Sequence, residues 1–226
     1  MNPKAFLFDL NGTMINDMNY HIKAWYKILN DLGAGISMER MKDECYGKNN
    51  ELLDRIFPGR FSEEEKNKMS FEKEKAYQEA FRPQLKLIDG LEDFLEVAKF
   101  AGIKMAIGSA AIKFNIDFVI DGTHIRKYFD SVISAEEVKH SKPDPETYLK
   151  AADQLHIPAD ECIVFEDTPK GVEAGLNAGM KAIVITTLHQ PDEFKNYSNV
   201  IKFAKDFTEL NEIISPNKLV QQVSTR

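Results

Sequence analysis

Ala5-Phe6-Leu7-Phe8-Asp9-Leu10-Asn11-Gly12-Thr13 decides the reading of this chain. An apolar run ends abruptly in an acid, and a Gly-Thr turn follows. A buried strand of this kind delivers a carboxylate at its carboxyl end. In open parallel sheets, that is the edge where ligands bind. Further strand-like runs occur at 103–108, 131–134, 162–165 and 182–185. Helical patterns follow them at about 111–121, 144–155, 169–178 and 205–215. Alternation of strand and helix argues for an α/β fold, a mostly parallel sheet covered on both faces.

One segment breaks this rhythm. Residues 17–82 contain no good strand pattern, only amphipathic helices, with His21-Ile22, Trp25-Tyr26, Ile28-Leu29 and Leu32 at helical spacing. Ser62 followed by Glu63, Glu64 and Glu65 reads as the capped start of a long helix. That helix runs to Phe81, before Arg82-Pro83 ends it. The expected division is a three-layer Rossmann-like core, 1–16 and 83–226, with an inserted helical-bundle cap at 17–82. Two links, near 14–17 and 82–89, would permit the insertion to hinge as a lid. The polar tail at 215–226 is expected to be poorly ordered at its end.

The chain has 226 residues and a formal net charge of −7. An acidic balance argues against a nucleic-acid binder. No apolar stretch reaches the roughly eighteen residues of a membrane span, and no secretory signal opens the sequence, so a cytoplasmic protein is expected. Cys45 and Cys162 are far apart, and no disulfide is expected.

Chemistry-bearing residues cluster where the strands end. The clusters are Asp9 to Thr13, then Ser109-Ala110 after the second run, Ser141-Lys142-Pro143 before a helix, and Glu166-Asp167-Thr168 after the fourth run. Together they offer carboxylates for a divalent cation, a hydroxyl with backbone N–H groups for phosphate, and one ammonium. Phosphoryl transfer needs mainly positioning and charge neutralisation, which suits this inventory. Singly, each has a plainer reading. Asp9 and Ser109 suit turns or helix caps, Lys142 suits a solvated surface, and Glu166-Asp167 suits the start of a helix.

With all four clusters in this order, the chain resembles the haloacid dehalogenase-like hydrolases, in the branch with a helical cap that holds β-phosphoglucomutase-like proteins and sugar phosphatases. The resemblance implies roles. Asp9 would be the nucleophile that becomes an aspartyl-phosphate. Ser109 and the N–H of Ala110 would hold phosphate, and Lys142 would neutralise nucleophile and phosphate. Mg²⁺ would be bound by Asp9, the backbone carbonyl of Asn11, and Glu166 and Asp167, directly or through water. Asn11 departs from the pattern, because the family usually has a second Asp there as general acid and base. An amide keeps its carbonyl for the metal but cannot donate and recover a proton, so slow turnover is expected.

The insertion offers substrate clues. The spacing of His21 and Trp25 is similar to that of β-phosphoglucomutases, where the His assists the acid/base. The plainer reading makes Trp25 a core residue. Tyr46-Gly47-Lys48-Asn49-Asn50 resembles the specificity loop of the cap, with Lys48 where mutases carry an arginine. Lysine is a poorer bidentate phosphate clamp, which favours a hydrolase acting on a monophosphate. Lys73 and Lys75, beside Glu72 and Glu74, read as a solvated, charge-paired face. Lys113 could line the pocket or lie on the surface. The expected partner is a small phosphorylated metabolite, handled by a monomer or weak homodimer. The expected activity is Mg²⁺-dependent removal of phosphate from a sugar phosphate. The alternatives are a sugar-phosphate mutase and a non-catalytic phosphometabolite-binding protein.

Overall fold

The computed structural model describes residues 3–214, so the tail at 215–226 lies outside the described residues. The described chain divides into two compact units, one formed by residues up to Asn16 and from Lys86 onward, the other by Asp17–Leu85. They are called here the body and the helical unit.

The body carries a sheet of strands β1 (Ala5–Phe8), β2 (Lys104–Gly108), β3 (Ser131–Ile133), β4 (Cys162–Glu166), β5 (Lys181–Ile185) and β6 (Val200–Ala204) in the order β3-β2-β1-β4-β5-β6. Every pairing is parallel. The chain winds from β1 towards β3, then returns to the other side of β1 with β4. The direction therefore switches between β1 and β4, and a crevice opens at the carboxyl ends of those two strands.

Alternation along β1 explains how both sheet faces are covered. Ala5 and Leu7 join Ala106, Val164, Tyr148 and Ala151 in one apolar cluster, under helix α7 (Glu146–Leu155). Phe6 and Phe8 point the other way, into an aromatic cluster with Phe94, Phe165 and Phe207. Phe94 comes from helix α5 (Leu91–Phe100). Each fully buried aromatic ring of this kind contributes about 1.5–3 kcal/mol of transfer free energy. Helices α6 (Lys113–Gly122) and α8 (Pro169–Asn177) complete the crossovers after β2 and β4. Thr168 caps α8, its side chain accepting from the Gly171 N–H.

Two elements differ from the sequence reading. The helical pattern at 205–215 forms a short 3₁₀ stretch, Phe207–Ile213. The edge strand β6 carries the half-exposed alternation Val-Ile-Lys-Phe-Ala, which lacks the continuous apolar run that marked the central strands.

The helical unit consists of α1 (Met18–Asp31), α2 (Met38–Glu44), α3 (Asn49–Ile56) and α4 (Glu63–Phe81). Ser62 caps α4, accepting from the Glu65 N–H while the Glu65 carboxylate accepts from the Ser62 N–H. Trp25 is buried in the core of this unit with Ile22, Leu29, Met41, Leu52 and Leu53. Among the described residues, no helix is long and apolar enough to cross a membrane. Cys45 and Cys162 are free thiols, and burial pushes them up to about 11 and about 12.

Candidate active site

The ladder between β1 and β4 continues one step past Phe8, where the Asp9 N–H donates to the Phe165 carbonyl at 2.9 Å. This fixes the Asp9 carboxylate at the crevice. Phe8 is in register with Ile107 of β2, so Gly108 and Ser109 follow alongside Asp9. After Asp9 the chain turns sharply, with the Gly12 N–H donating to Ile15 and the Met14 N–H to Leu10, both at 2.8 Å. Gly12 has φ +82°, and a Cβ there would lie 2.0 Å from Asp167 Oδ2. Only glycine gives the turn both its left-handed backbone and room for Asp167. The Thr187 hydroxyl, in the loop after β5, donates to the Gly12 carbonyl at 2.6 Å.

Three distant segments converge at this turn. Lys142 Nζ donates to Asp9 Oδ1 and Glu166 Oε1 at 2.6 Å each, and to the Tyr148 hydroxyl at 2.8 Å. Both Glu166 oxygens are engaged. Oε1 accepts from Lys142 and Tyr148, while Oε2 accepts from the N–H groups of Asp167 and Thr168 and from the Thr168 hydroxyl. Asp167 is fully buried. Its Oδ1 accepts from the Thr13 hydroxyl at 3.2 Å, while its Oδ2 has no hydrogen-bond partner.

The electrostatics of this cluster are unbalanced. Burial alone would lower the Lys142 pKa, but the Asp9 and Glu166 carboxylates outweigh it and the net shift is upward. Burial likewise pushes Glu166 up, and Lys142 more than reverses this. For Asp167 burial, then the nearby Glu166 and Asp9 carboxylates, push upward, and it ends well above the usual carboxylate range. The Thr13 hydrogen bond and the charge of Lys142 pull it downward, but they do not offset the rest. The Tyr148 phenol is also pushed well above 10, chiefly by burial.

The donor chemistry fits a hard divalent cation. Carboxylate oxygens of Asp9, Glu166 and Asp167 lie within 4.8 Å of one another, three acids facing the single ammonium of Lys142. The two charges left over equal those of one Mg²⁺ ion, which binds through one or two carboxylates and keeps several waters. The unpartnered Asp167 Oδ2 is the atom such an ion would satisfy. Another grouping, His140, Asp144 and Glu146, is more exposed. There Glu146 Oε2 already accepts from the N–H groups of Lys139 and His140, and Oε1 pairs with Lys150.

The other sequence candidates fall as follows. Ser109 is buried at the end of β2, its hydroxyl accepting from the Ala111 N–H at 3.1 Å, and Ala110 beside it is half-buried. Asn11 is half-buried in the turn and bridges to Ile15. Lys113 is not gathered with them. Its side chain is 64 % exposed, and its ammonium pairs with Asp117 at 3.0 Å.

In the helical unit, Lys48 precedes α3 and its N–H donates to Glu51. His21 is buried in a polar network, Nε2 against Asp17 Oδ2 at 3.1 Å and Nδ1 against Lys73 Nζ at 2.5 Å. An ammonium only donates, so Nδ1 accepts and the Nε2–H faces Asp17. Tyr77 stacks on the His21 ring at 3.9 Å and donates to Asp17. Lys73 also donates to Glu74 Oε1 at 2.8 Å, and Asn49 donates to the same oxygen. Lys73 and Glu74 thus correct the expectation of a solvated face, since both are 2 % exposed. Lys75 is exposed, as that expectation had it.

Sequence reasoning missed Tyr148. Its position six residues after Lys142, in the first turn of α7, was the available signal.

Comparison with known proteins identifies the family. The family model of haloacid dehalogenase-like hydrolases matches residues 6–185, and the chain belongs to that family. An uncharacterized protein of Haemophilus influenzae is 33% identical over 200 residues, covering 82% of this chain and 93% of that protein. A fructose-1-phosphate phosphatase of Escherichia coli is 27% identical over 188 residues, 81% of this chain and 97% of its own. Among solved structures, a β-phosphoglucomutase from Clostridium difficile superposes with a TM-score of 0.82 at 27% identity, covering 98% of this chain and 99% of that one.

Proposed function

We propose that this haloacid dehalogenase-like hydrolase is a Mg²⁺-dependent phosphatase of a small sugar phosphate, working through an aspartyl-phosphate on Asp9, with turnover slowed by Asn11. The observation that carries this reading is the contact of Asp9 Oδ1 with Lys142 Nζ at 2.6 Å in the cluster that leaves Asp167 Oδ2 unpartnered. Similarity to a fructose-1-phosphate phosphatase supports the substrate class.

Lys142 fixes one oxygen of Asp9 and orients its carboxylate for in-line attack on phosphorus. The new bond joins Asp9 to phosphorus, and the bond from phosphorus to the sugar oxygen breaks. Asp9, Asp167 and the Asn11 carbonyl would hold Mg²⁺, which would supply charge neutralisation to the phosphoryl oxygens. The Ser109 hydroxyl and the Ala110 N–H hold the remaining oxygens. Glu166, with both oxygens taken by protein donors, acts on Lys142 and is not itself placed as a direct ligand. The departing sugar oxygen takes its proton from solvent water, because the Asn11 amide does not supply one. Water then attacks phosphorus, the bond from phosphorus to Asp9 breaks, and the water's proton passes to solvent because position 11 has no carboxylate to take it. On the helical unit the proposed recognition residues are His21, held by Asp17 and Lys73, and Lys48. Lys113, paired with Asp117, receives no role. The expected setting is the cytoplasm, as a monomer or weak homodimer.

Asn11→Asp restores a general acid and base, so kcat on a sugar phosphate is expected to rise by about 10²–10⁴-fold. A rate unchanged by the restored acid would contradict the assignment of Asn11. The likeness to a β-phosphoglucomutase favours a second reading, isomerisation of a hexose phosphate through a bisphosphate. Asn11→Asp protein given glucose 1-phosphate separates the two. Release of inorganic phosphate supports the phosphatase, and primer-dependent formation of the 6-phosphate supports the mutase.

A further inference from the structure

We propose that Tyr148 is a positioning residue for phosphoryl transfer, its hydroxyl lodged between Lys142 and Glu166 so that the Lys142 ammonium is held on Asp9. The inference rests on the role given to Asp9 and Lys142 above.

Donor and acceptor chemistry fixes the arrangement. An ammonium has three N–H donors and no acceptor, and an ionised carboxylate only accepts. Tyr148 therefore accepts from Lys142 at 2.8 Å and donates to Glu166 Oε1 at 2.7 Å. Lys142 also donates to the same Glu166 oxygen at 2.6 Å, which closes a ring of three hydrogen bonds. Two of the three ammonium protons are thereby assigned, and the third points at Asp9 Oδ1, 2.6 Å away. Without such a ring, lysine is a flexible point charge on a four-carbon stem.

The body is built around this tyrosine. Tyr148 is 0% exposed. Its ring lies beneath the ammonium, with Nζ 4.6 Å from the centroid. Gly108, the last residue of β2, leaves room for the start of α7, since a Cβ there would stand 3.0 Å from Thr147 Cγ2 and 3.3 Å from Tyr148 Cε1. A glycine within a central strand marks such a close approach. Phenylalanine would fill the same space, so packing does not require the hydroxyl. The hydroxyl is the part that meets Lys142 and Glu166.

Tyr148→Phe keeps the ring and removes two hydrogen bonds, one of them from a charged donor. Lys142 is left with an N–H lacking its acceptor and is free to shift towards Glu166. The test compares Tyr148→Phe with its parent, both carrying Asn11→Asp, using fructose 1-phosphate as substrate. The expected result is a fall in kcat of about 10–100-fold. KM and the Mg²⁺ affinity, read by calorimetry, should stay within about threefold, because Asp9 and Asp167 are untouched. A purely structural tyrosine would lower the melting temperature and leave kcat unchanged, which would overturn the proposal.

A second readout needs no turnover. The Lys142 ammonium, observed by ¹⁵N NMR, should exchange its protons slowly with water in the unaltered chain and rapidly in Tyr148→Phe. Rapid exchange in the unaltered chain, or slow exchange in both, would contradict the positioning role. Absence of turnover in both Asn11→Asp proteins, with the NMR difference present, would instead count against the phosphatase reading and leave the Tyr148 lock standing.

Discussion

Asp167 in the body and Glu74 in the helical unit are both buried, yet their carboxyls end up shifted in opposite directions. Burial pushes each carboxyl up. For Asp167 the Glu166 and Asp9 carboxylates add to the push, and it ends well above the usual range. For Glu74 the Lys73 ammonium and the Asn49 hydrogen bond more than reverse it, and it ends below. Both units pack a lysine against a carboxylate with a tyrosine in the same network. The difference lies in where the balance of charge comes from. Glu74 is compensated by its own chain, as expected of a network that joins helices. Asp167 is left with its neighbours' negative charges only partly offset, as expected of a site that takes up a cation. Burial alone does not distinguish a structural acid from a functional one, whereas the sign of its neighbours does.

The contrast can be broken by removing the counter-charge from Glu74. Lys73→Met leaves that carboxylate buried and uncompensated, and should cost about 3–5 kcal/mol of stability in urea unfolding. A loss below 1 kcal/mol would show that the helical network is not held by charge. It is sharpened by the opposite change in the body. Asp167→Asn should lower Mg²⁺ affinity by at least about 10–100-fold in calorimetry. In Mg²⁺-free buffer the same variant should be more stable than its parent by about 1–2 kcal/mol, since an unfavourable buried acid is gone. Glu74→Gln should do the reverse. Its lowered folded pKa gives stability that is present above the ordinary carboxylate pKa and lost as pH falls through the folded value. The variant should therefore be the less stable protein at neutral pH, with the gap closing in acid. The smallest effect belongs to Lys113→Ala, whose partner Asp117 is on the surface. Stability should change by less than about 0.5 kcal/mol, and KM should stay within twofold.

The same contrast explains what the sequence disclosed. In the body, an apolar run breaking into an acid marks both a strand and its end, so Asp9 and Glu166-Asp167 were legible as single residues. Topology then brings those ends together, with Lys142 reaching them from the loop before α7. Tyr148 escaped because a tyrosine inside an apolar helical stripe reads as core, and only the hydroxyl partners reveal more. In the helical unit the buried face of α4 runs through Lys66, Ser70, Lys73, Glu74, Tyr77, Gln78 and Phe81. The spacing is helical, but most of the side chains are polar, so a search for apolar periodicity sees no buried stripe. Polar residues at core spacing become readable only when their partners elsewhere in the unit are known, here Asp17 just before α1, His21 on α1 and Asn49 on α3. Trp25, by contrast, was legible as core because its neighbours are apolar.

The central claim is that Asp9 receives a phosphoryl group in the presence of Mg²⁺. Mass spectrometry of the unaltered chain, incubated with Mg²⁺ and acetyl phosphate and then digested, tests it most directly. The account predicts one phosphoryl adduct, on the peptide bearing Asp9, lost when Mg²⁺ is chelated or Asp9 is replaced by Asn. No adduct on Asp9 under these conditions, or one that persists without Mg²⁺, would contradict it.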